Sequence, residues 1–169
     1  MCLVETGMPP RAAPGTEPEK DEHGFAKISW SPRPVIACAN TVGEGMGIRT
    51  EGKLSEECRR GVMELLLINH PLDCPICDQA GECFLQDYSY RFGRGHSRLQ
   101  EPKLRKPDKT HIGEQITLFT DRCVMCTRCV RFTREISGTG ELQVIQRGSH
   151  AEIDIFPGIA LDNELSANV

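Results

Sequence analysis

Short apolar alternations, rather than long apolar runs, organise this chain. Residues 1 to 34 hold six of the eleven prolines and the polar run "PGTEPEKDEHG", which predicts an extended loop. Two brief alternations follow, near Val35 to Ala39 and Met46 to Arg49, joined by "VGEG", the pattern of a small hairpin. Ser55, Glu56 and Glu57 make a helix start, since the hydroxyl caps free amides and the acids face the positive end of the helix dipole. Val62, Leu65, Leu66 and Asn69 mark one face of that helix, and Pro71 disfavours helical geometry at His70, so the helix should end there. "QITLFT" alternates like a half-buried strand, a helix is predicted near Val130 to Ile136, and Leu142 to Ile145 and Ile153 to Phe156 read as strands. The order strand, loop, helix, strand suits a small α+β module of ferredoxin type.

Composition narrows the classes. The longest aliphatic stretch runs only from Leu65 to Ile68, far short of the roughly 20 apolar residues of a spanning helix. A net charge of −4 with 26% charged residues recruits neither nucleic acid nor anionic lipid by itself. One basic stretch stands out, Tyr88 to Lys109, where seven cations from Arg91 to Lys109 face Glu101 and Asp108. A solvated or partner-contacting connector is expected there rather than a nucleic-acid patch. Gly43, Gly45 and Gly47 miss the Gly-x-Gly-x-x-Gly spacing and lack its crossover helix, which argues against a dinucleotide loop. With aromatics at 5% and sixteen glycines, apolar cores should be small and bound metal should supply part of the folding free energy.

Nine cysteines carry the chemistry. Their odd number and the lack of a secretory pattern at the start favour reduced thiols over disulfides. Six fall in two clusters, Cys74, Cys77 and Cys83, then Cys123, Cys126 and Cys129. Cys58, alone on the first helix, reads as a small semi-buried hydrophobe. "CVMCTRC" is Cys-x2-Cys-x2-Cys, the start of the bacterial ferredoxin run, in which three thiolates hold three irons of a cubane and a distant ligand takes the fourth. Zinc sites more often pair two separate knuckles, and neither loop has such a mate. Thr133 stands where a two-cluster ferredoxin places a further cysteine, so this loop should serve one cluster. In "HPLDCPICDQAGEC" the donors are His70, Cys74, Cys77 and Cys83, a complete set for one [4Fe–4S] cube if the imidazole ligates. Imidazole in place of thiolate removes one negative charge from the ligand set, which favours the reduced cluster. Gly81 supplies backbone freedom for the wrap.

"LLINHPLDCPICDQAGECFLQDYSYRFG" resembles the histidine-ligated cluster segment of the large iron–sulfur subunit, the G subunit, of bacterial NADH-quinone oxidoreductase, respiratory complex I, and "DRCVMCTRCVRFTREISG" resembles its next cluster loop. Nearly the whole chain takes part, with both motifs in the family's order. The resemblance implies that "MCLV" ends a plant-ferredoxin-like Cys-x2-Cys pair, so that Cys2 and Cys38 would be two of four ligands of a [2Fe–2S] cluster whose others precede Met1. It likewise implies that Cys123, Cys126 and Cys129 are three of four ligands of a [4Fe–4S] cluster whose last ligand follows "NELSANV", making the chain a fragment.

The resulting expectation is an α+β chain in four parts. Residues 1–52 would end a β-grasp [2Fe–2S] domain, 53–92 would form the His/Cys [4Fe–4S] segment, 93–113 a basic connector, and 114–169 a partial ferredoxin-like [4Fe–4S] domain. By resemblance, electrons from NADH pass through FMN on a neighbouring subunit and along these clusters toward quinone. The partners would be other peripheral-arm subunits, with no nucleic acid and no membrane insertion, at the cytoplasmic face of the bacterial inner membrane. No residue reads as a general acid, base or nucleophile, so the fragment alone is not expected to turn over. The rivals are an electron-transfer subunit of an NAD-linked hydrogenase or formate dehydrogenase, and a zinc-stabilised structural module.

Overall fold

The structure is a computed structural model that describes residues 1–11, 19–109 and 112–169. Part of the proline-rich run therefore lies outside the described residues. The chain divides into two compact units: the first is Met1–Leu65 with Gly81–Ser97, the second Leu66–Ala80 with Arg98–Val169.

In the first unit, Leu3–Met8 forms strand β1. Ser29–Trp30 (β2), Val35–Ile36 (β3) and Gly47–Arg49 (β4) each pair antiparallel with it. Two sequence expectations are corrected here. The loop over 1–34 contains a six-residue strand, because its prolines begin only at Pro9 and leave the amides of 3–8 free to bond. The hairpin is replaced by two short strands that both use β1 as their partner, so a non-local pairing displaces the local one.

Helix α1 spans Lys53–Leu67. Ser55 does not cap it. The amides of Leu54 and Ser55 instead donate to Glu5 Oε1 at 2.9 and 3.2 Å, and Arg49 Nη1 lies 3.4 Å from Glu5 Oε2. A carboxylate from β1 thus satisfies the free amides of the helix N-terminus. Gly52 leaves room for this seat, since a Cβ there would collide with the Glu5 carboxylate and displace it. The buried face also differs from the pattern: Met63 and Ser55 are buried while Leu65 is exposed. The helix closes at Leu67, three residues before His70. Helix α2, Phe84–Phe92, follows in the same unit, with Arg59 over the Phe92 ring.

The second unit holds helix α3, Arg128–Glu135, and the antiparallel pair β5, Leu142–Ile145, and β6, Glu152–Ile155. These agree with the sequence pattern to within two residues. Among the described residues, the strand expected over "QITLFT" is represented by the bridge of Leu118 with Lys109, followed by a 3-10 turn over Thr120–Arg122. Ile112, Leu142, Ile153 and Leu161 form the core, against which Cys123, Cys129, Met125 and Val130 pack.

Three cations of the basic connector have intrachain partners. Lys103 Nζ donates to the carbonyls of Leu67 and Ile68 at 2.7 and 3.0 Å, Arg105 faces Asp121, and Lys109 lies 2.8 Å from Asp154. Intrachain acceptors and acids partner these three charges.

Candidate metal centre

The second cysteine loop is built on the core of its unit. Cys123 and Cys129 are half-buried against that core, while Cys126 at the apex is exposed. Met125 and Thr127, on either side of Cys126, have φ of 55° and 60°. Left-handed geometry in non-glycine residues costs about 1 kcal/mol or more each, and such sites cluster where function demands them. Here the turns bring the Met125 amide to 3.4 Å from Cys123 Sγ as a donor. Burial pushes the Cys129 thiol up, and the neighbouring charges of Cys123 and Cys126 push it the same way, so the three sulfurs share one electrostatic neighbourhood. Bound iron would remove that penalty by accepting the negative charge.

Two further threonines complete the surroundings. Thr133 is wholly buried, its hydroxyl donating to the Val130 carbonyl at 3.1 Å. It fills the place of the absent cysteine as a packed residue. Thr120, at the entry to the loop, is 3% exposed, and its hydroxyl has no hydrogen-bond partner among the described residues. A buried hydroxyl left unpaired costs about 1–3 kcal/mol, and a sulfide or thiolate is an acceptor of the kind it lacks.

Around the first loop, His70 follows the end of α1 and is half-buried. Burial holds its imidazole below the ordinary histidine range, aided by Lys103 and Arg122 and opposed by Asp73 and Asp121. The neutral ring is the ligating form. Asn69 Oδ1 accepts from the Leu104 amide at 3.1 Å, and Asp73 lies 3.8 Å from Arg122, so both sides of His70 are tied down. Cys74 opens a 3-10 turn with Pro75, and Cys77 closes it through its amide to the Cys74 carbonyl at 3.3 Å. His70, Cys74 and Cys77 belong to the second unit, and Cys83, which precedes α2, belongs to the first. Gly81 has φ +89°, and its amide donates to Gln86 Oε1 at 3.1 Å.

In the first unit, β1 and β3 pair Leu3 with Ile36, and the Ala37 amide donates to the Cys2 carbonyl at 2.8 Å. That register brings Cys2 and Cys38 to one end of the sheet, both exposed. Cys58 is half-buried on α1, as expected of a packing residue.

All nine cysteines are free thiols. Among the described residues no three His, Cys, Asp or Glu side chains converge on one metal position. Soft thiolates, a neutral imidazole and a backbone amide facing sulfur are donors of the kind that suits iron–sulfur clusters.

Comparison with known proteins agrees with this donor chemistry. Residues 59–98 match the family described as the NADH-ubiquinone oxidoreductase-G iron-sulfur binding region, and residues 113–169 match the ferredoxin-like domain of NADH-quinone oxidoreductase subunit 3. The NADH-quinone oxidoreductase G subunit of Rickettsia bellii is 48% identical over 145 residues, 86% of this chain and 21% of that protein. Both matched segments are those of the G-subunit family of NADH-quinone oxidoreductases. The chain spans about a fifth of the length of the relatives it matches. The mitochondrial NADH dehydrogenase (ubiquinone) iron-sulfur protein 1 of Solanum tuberosum is 46% identical over 86% of this chain and 20% of its own length.

The fold is shared more widely. A chain of an NAD+-reducing [NiFe]-hydrogenase, crystallised in the H2-reduced state, matches with a TM-score of 0.65 at 20% identity, over 93% of this chain and 56% of the other. No helix among the described residues is long and apolar enough to cross a membrane.

Proposed function

We propose that the chain is an electron-relay segment of the G subunit of a complex I, holding one [4Fe–4S] cluster on His70, Cys74, Cys77 and Cys83 and contributing Cys123, Cys126 and Cys129 to a second. The observation that carries the reading is the Cys123–Cys129 loop. Two thiols are seated on the core, a backbone amide is aimed at Cys123 Sγ, and left-handed residues flank the third thiol. A cluster bound there supplies reversible one-electron storage. The chain's own residues ligate it, donate hydrogen bonds to sulfur and limit solvent access, which are the levers that set a potential.

The remaining parts of the reading follow from the family. Cys2 and Cys38 are two ligands of a [2Fe–2S] cluster at the end of a β-grasp sheet, supported by the β1–β3 register. Electrons come from NADH through FMN on a neighbouring peripheral-arm subunit and continue toward quinone. The assembly sits at the cytoplasmic face of the bacterial inner membrane. The hydrogenase likeness is one of fold, whereas the 48% identity is to an NADH-quinone oxidoreductase.

Anaerobic reconstitution with iron and sulfide tests this. Wild type should take up about four irons and four sulfides or more per chain and give an EPR signal on reduction. His70→Ala with Cys77→Ala should abolish the first cluster. Stoichiometric zinc without sulfide or a reduced-state signal would overturn the reading in favour of a metal-stapled structural module.

A further inference from the structure

We propose that Lys103 is a positioning and potential-setting residue for the His70 cluster: its ammonium clamps the α1 terminus that presents His70 and sets an uncompensated positive charge beside that ligand. The proposal rests on the reading of His70 as a cluster ligand.

Lys103 reaches 36 and 35 residues back along the sequence to donate to the Leu67 and Ile68 carbonyls. The next residue, Leu104, donates from its amide to Asn69 Oδ1. The three residues before His70 are therefore all held by two consecutive residues of the connector. The clamp also places a cation at the negative end of the α1 dipole.

The charges in this neighbourhood are not equivalent. Arg122 faces Asp73, Arg105 faces Asp121, and Lys109 faces Asp154 and Glu152, so each is offset by a carboxylate. The polar partners of Lys103 among the described residues are two neutral carbonyls. The Ile68 carbonyl that it holds lies two residues before His70, so the ammonium stands close to that ligand. A reduced cluster carries one more negative charge than an oxidised one. A fixed cation nearby therefore favours reduction and raises the potential.

The test uses the whole chain carrying Cys126→Ala, which removes a ligand from the second loop at an exposed position and leaves the first loop as the EPR-active site. After reconstitution, Lys103→Met and Lys103→Arg are compared with this parent in a redox titration followed by EPR. At the potential where the parent is half reduced, Lys103→Met should lower the ratio of reduced to oxidised cluster on the order of fivefold, as expected for one partly screened charge. Iron and sulfide content should match the parent. Lys103→Arg should stay within about twofold, because it keeps the charge. Lys103→Gln, which can still donate to the two carbonyls, takes the place of Lys103→Met if the latter does not hold four irons. A neutral variant that titrates with the parent, or an arginine variant displaced as far as the neutral one, overturns the proposal. A parent that forms no cluster, or whose signal is unchanged by His70→Ala, overturns the underlying ligand assignment and this proposal with it.

Discussion

Thr120 shows how one residue reports on a missing partner. Its buried hydroxyl is unsatisfied among the described residues, so Thr120→Val should raise the stability of the metal-free chain by about 1 kcal/mol, read from a denaturant midpoint. In the reconstituted chain the same variant tests whether that hydroxyl serves the cluster, and faster release of iron to a chelator than wild type would assign it as a donor to sulfur. Equal release rates would separate the hydroxyl from the cluster. The two outer cysteines of the loop should behave differently from the apex. Cys129→Ser should destabilise the metal-free chain more than Cys126→Ser in thermal denaturation, since Cys129 packs on the core and Cys126 is exposed. The candidate ligands can be named from the sequence because spacing and residue type alone define a thiolate loop. Thr120 cannot, since a threonine in a loop carries no signal until its burial is known.

At the scale of elements, the join between β1 and α1 matters most. Glu5→Ala leaves the Leu54 and Ser55 amides unpaired and should cost about 2 kcal/mol. Glu5→Gln, which keeps one carbonyl acceptor, should cost less. Denaturant titration of the two variants checks the order, and equal losses would mean that charge rather than hydrogen bonding holds the helix start. The sequence pointed to Ser55 as the cap because capping rules are local. The acceptor that fills the role lies fifty residues from Ser55, at a position where local rules do not look. The predicted hairpin failed for the same reason, as β1 outcompetes the nearer partner for both β3 and β4. In contrast, α3, β5 and β6 were readable because their pairings are close in sequence and their apolar periodicity is unbroken.

At the scale of the whole molecule, stability should depend on pH through the Lys109–Asp154 pair in the second unit. Burial pushes the Asp154 carboxyl up, but the hydrogen bonds from Lys109 and from the Ile155 amide, with the Lys109 charge, together outweigh it and hold the group below the ordinary carboxylate range. Hydrogen bonding to Asp154 raises Lys109 above the ordinary lysine range, against the opposing effect of burial. The depressed acid contributes stability above the unfolded carboxylate value and loses it as pH falls through the folded one. The raised lysine contributes below its unfolded value and loses that contribution as pH rises through the folded one. Asp154→Asn should therefore destabilise by about 1–2 kcal/mol near neutrality, with the difference from wild type vanishing at strongly acidic pH. A difference that persists there would assign the loss to packing.

The sequence by itself determined the candidate chemistry, namely which thiols and which imidazole stand at cluster-like spacing, and the absence of a long apolar span, because these depend on residue identity and short spacing. Only the tertiary structure decided what surrounds that chemistry. It seated Cys123 and Cys129 on the core, left the Thr120 hydroxyl without a partner among the described residues, gave α1 its cap from Glu5, and turned a run of basic residues into clamps. Those choices depend on burial and on contacts between residues far apart in the chain, and neither quantity exists before the chain folds.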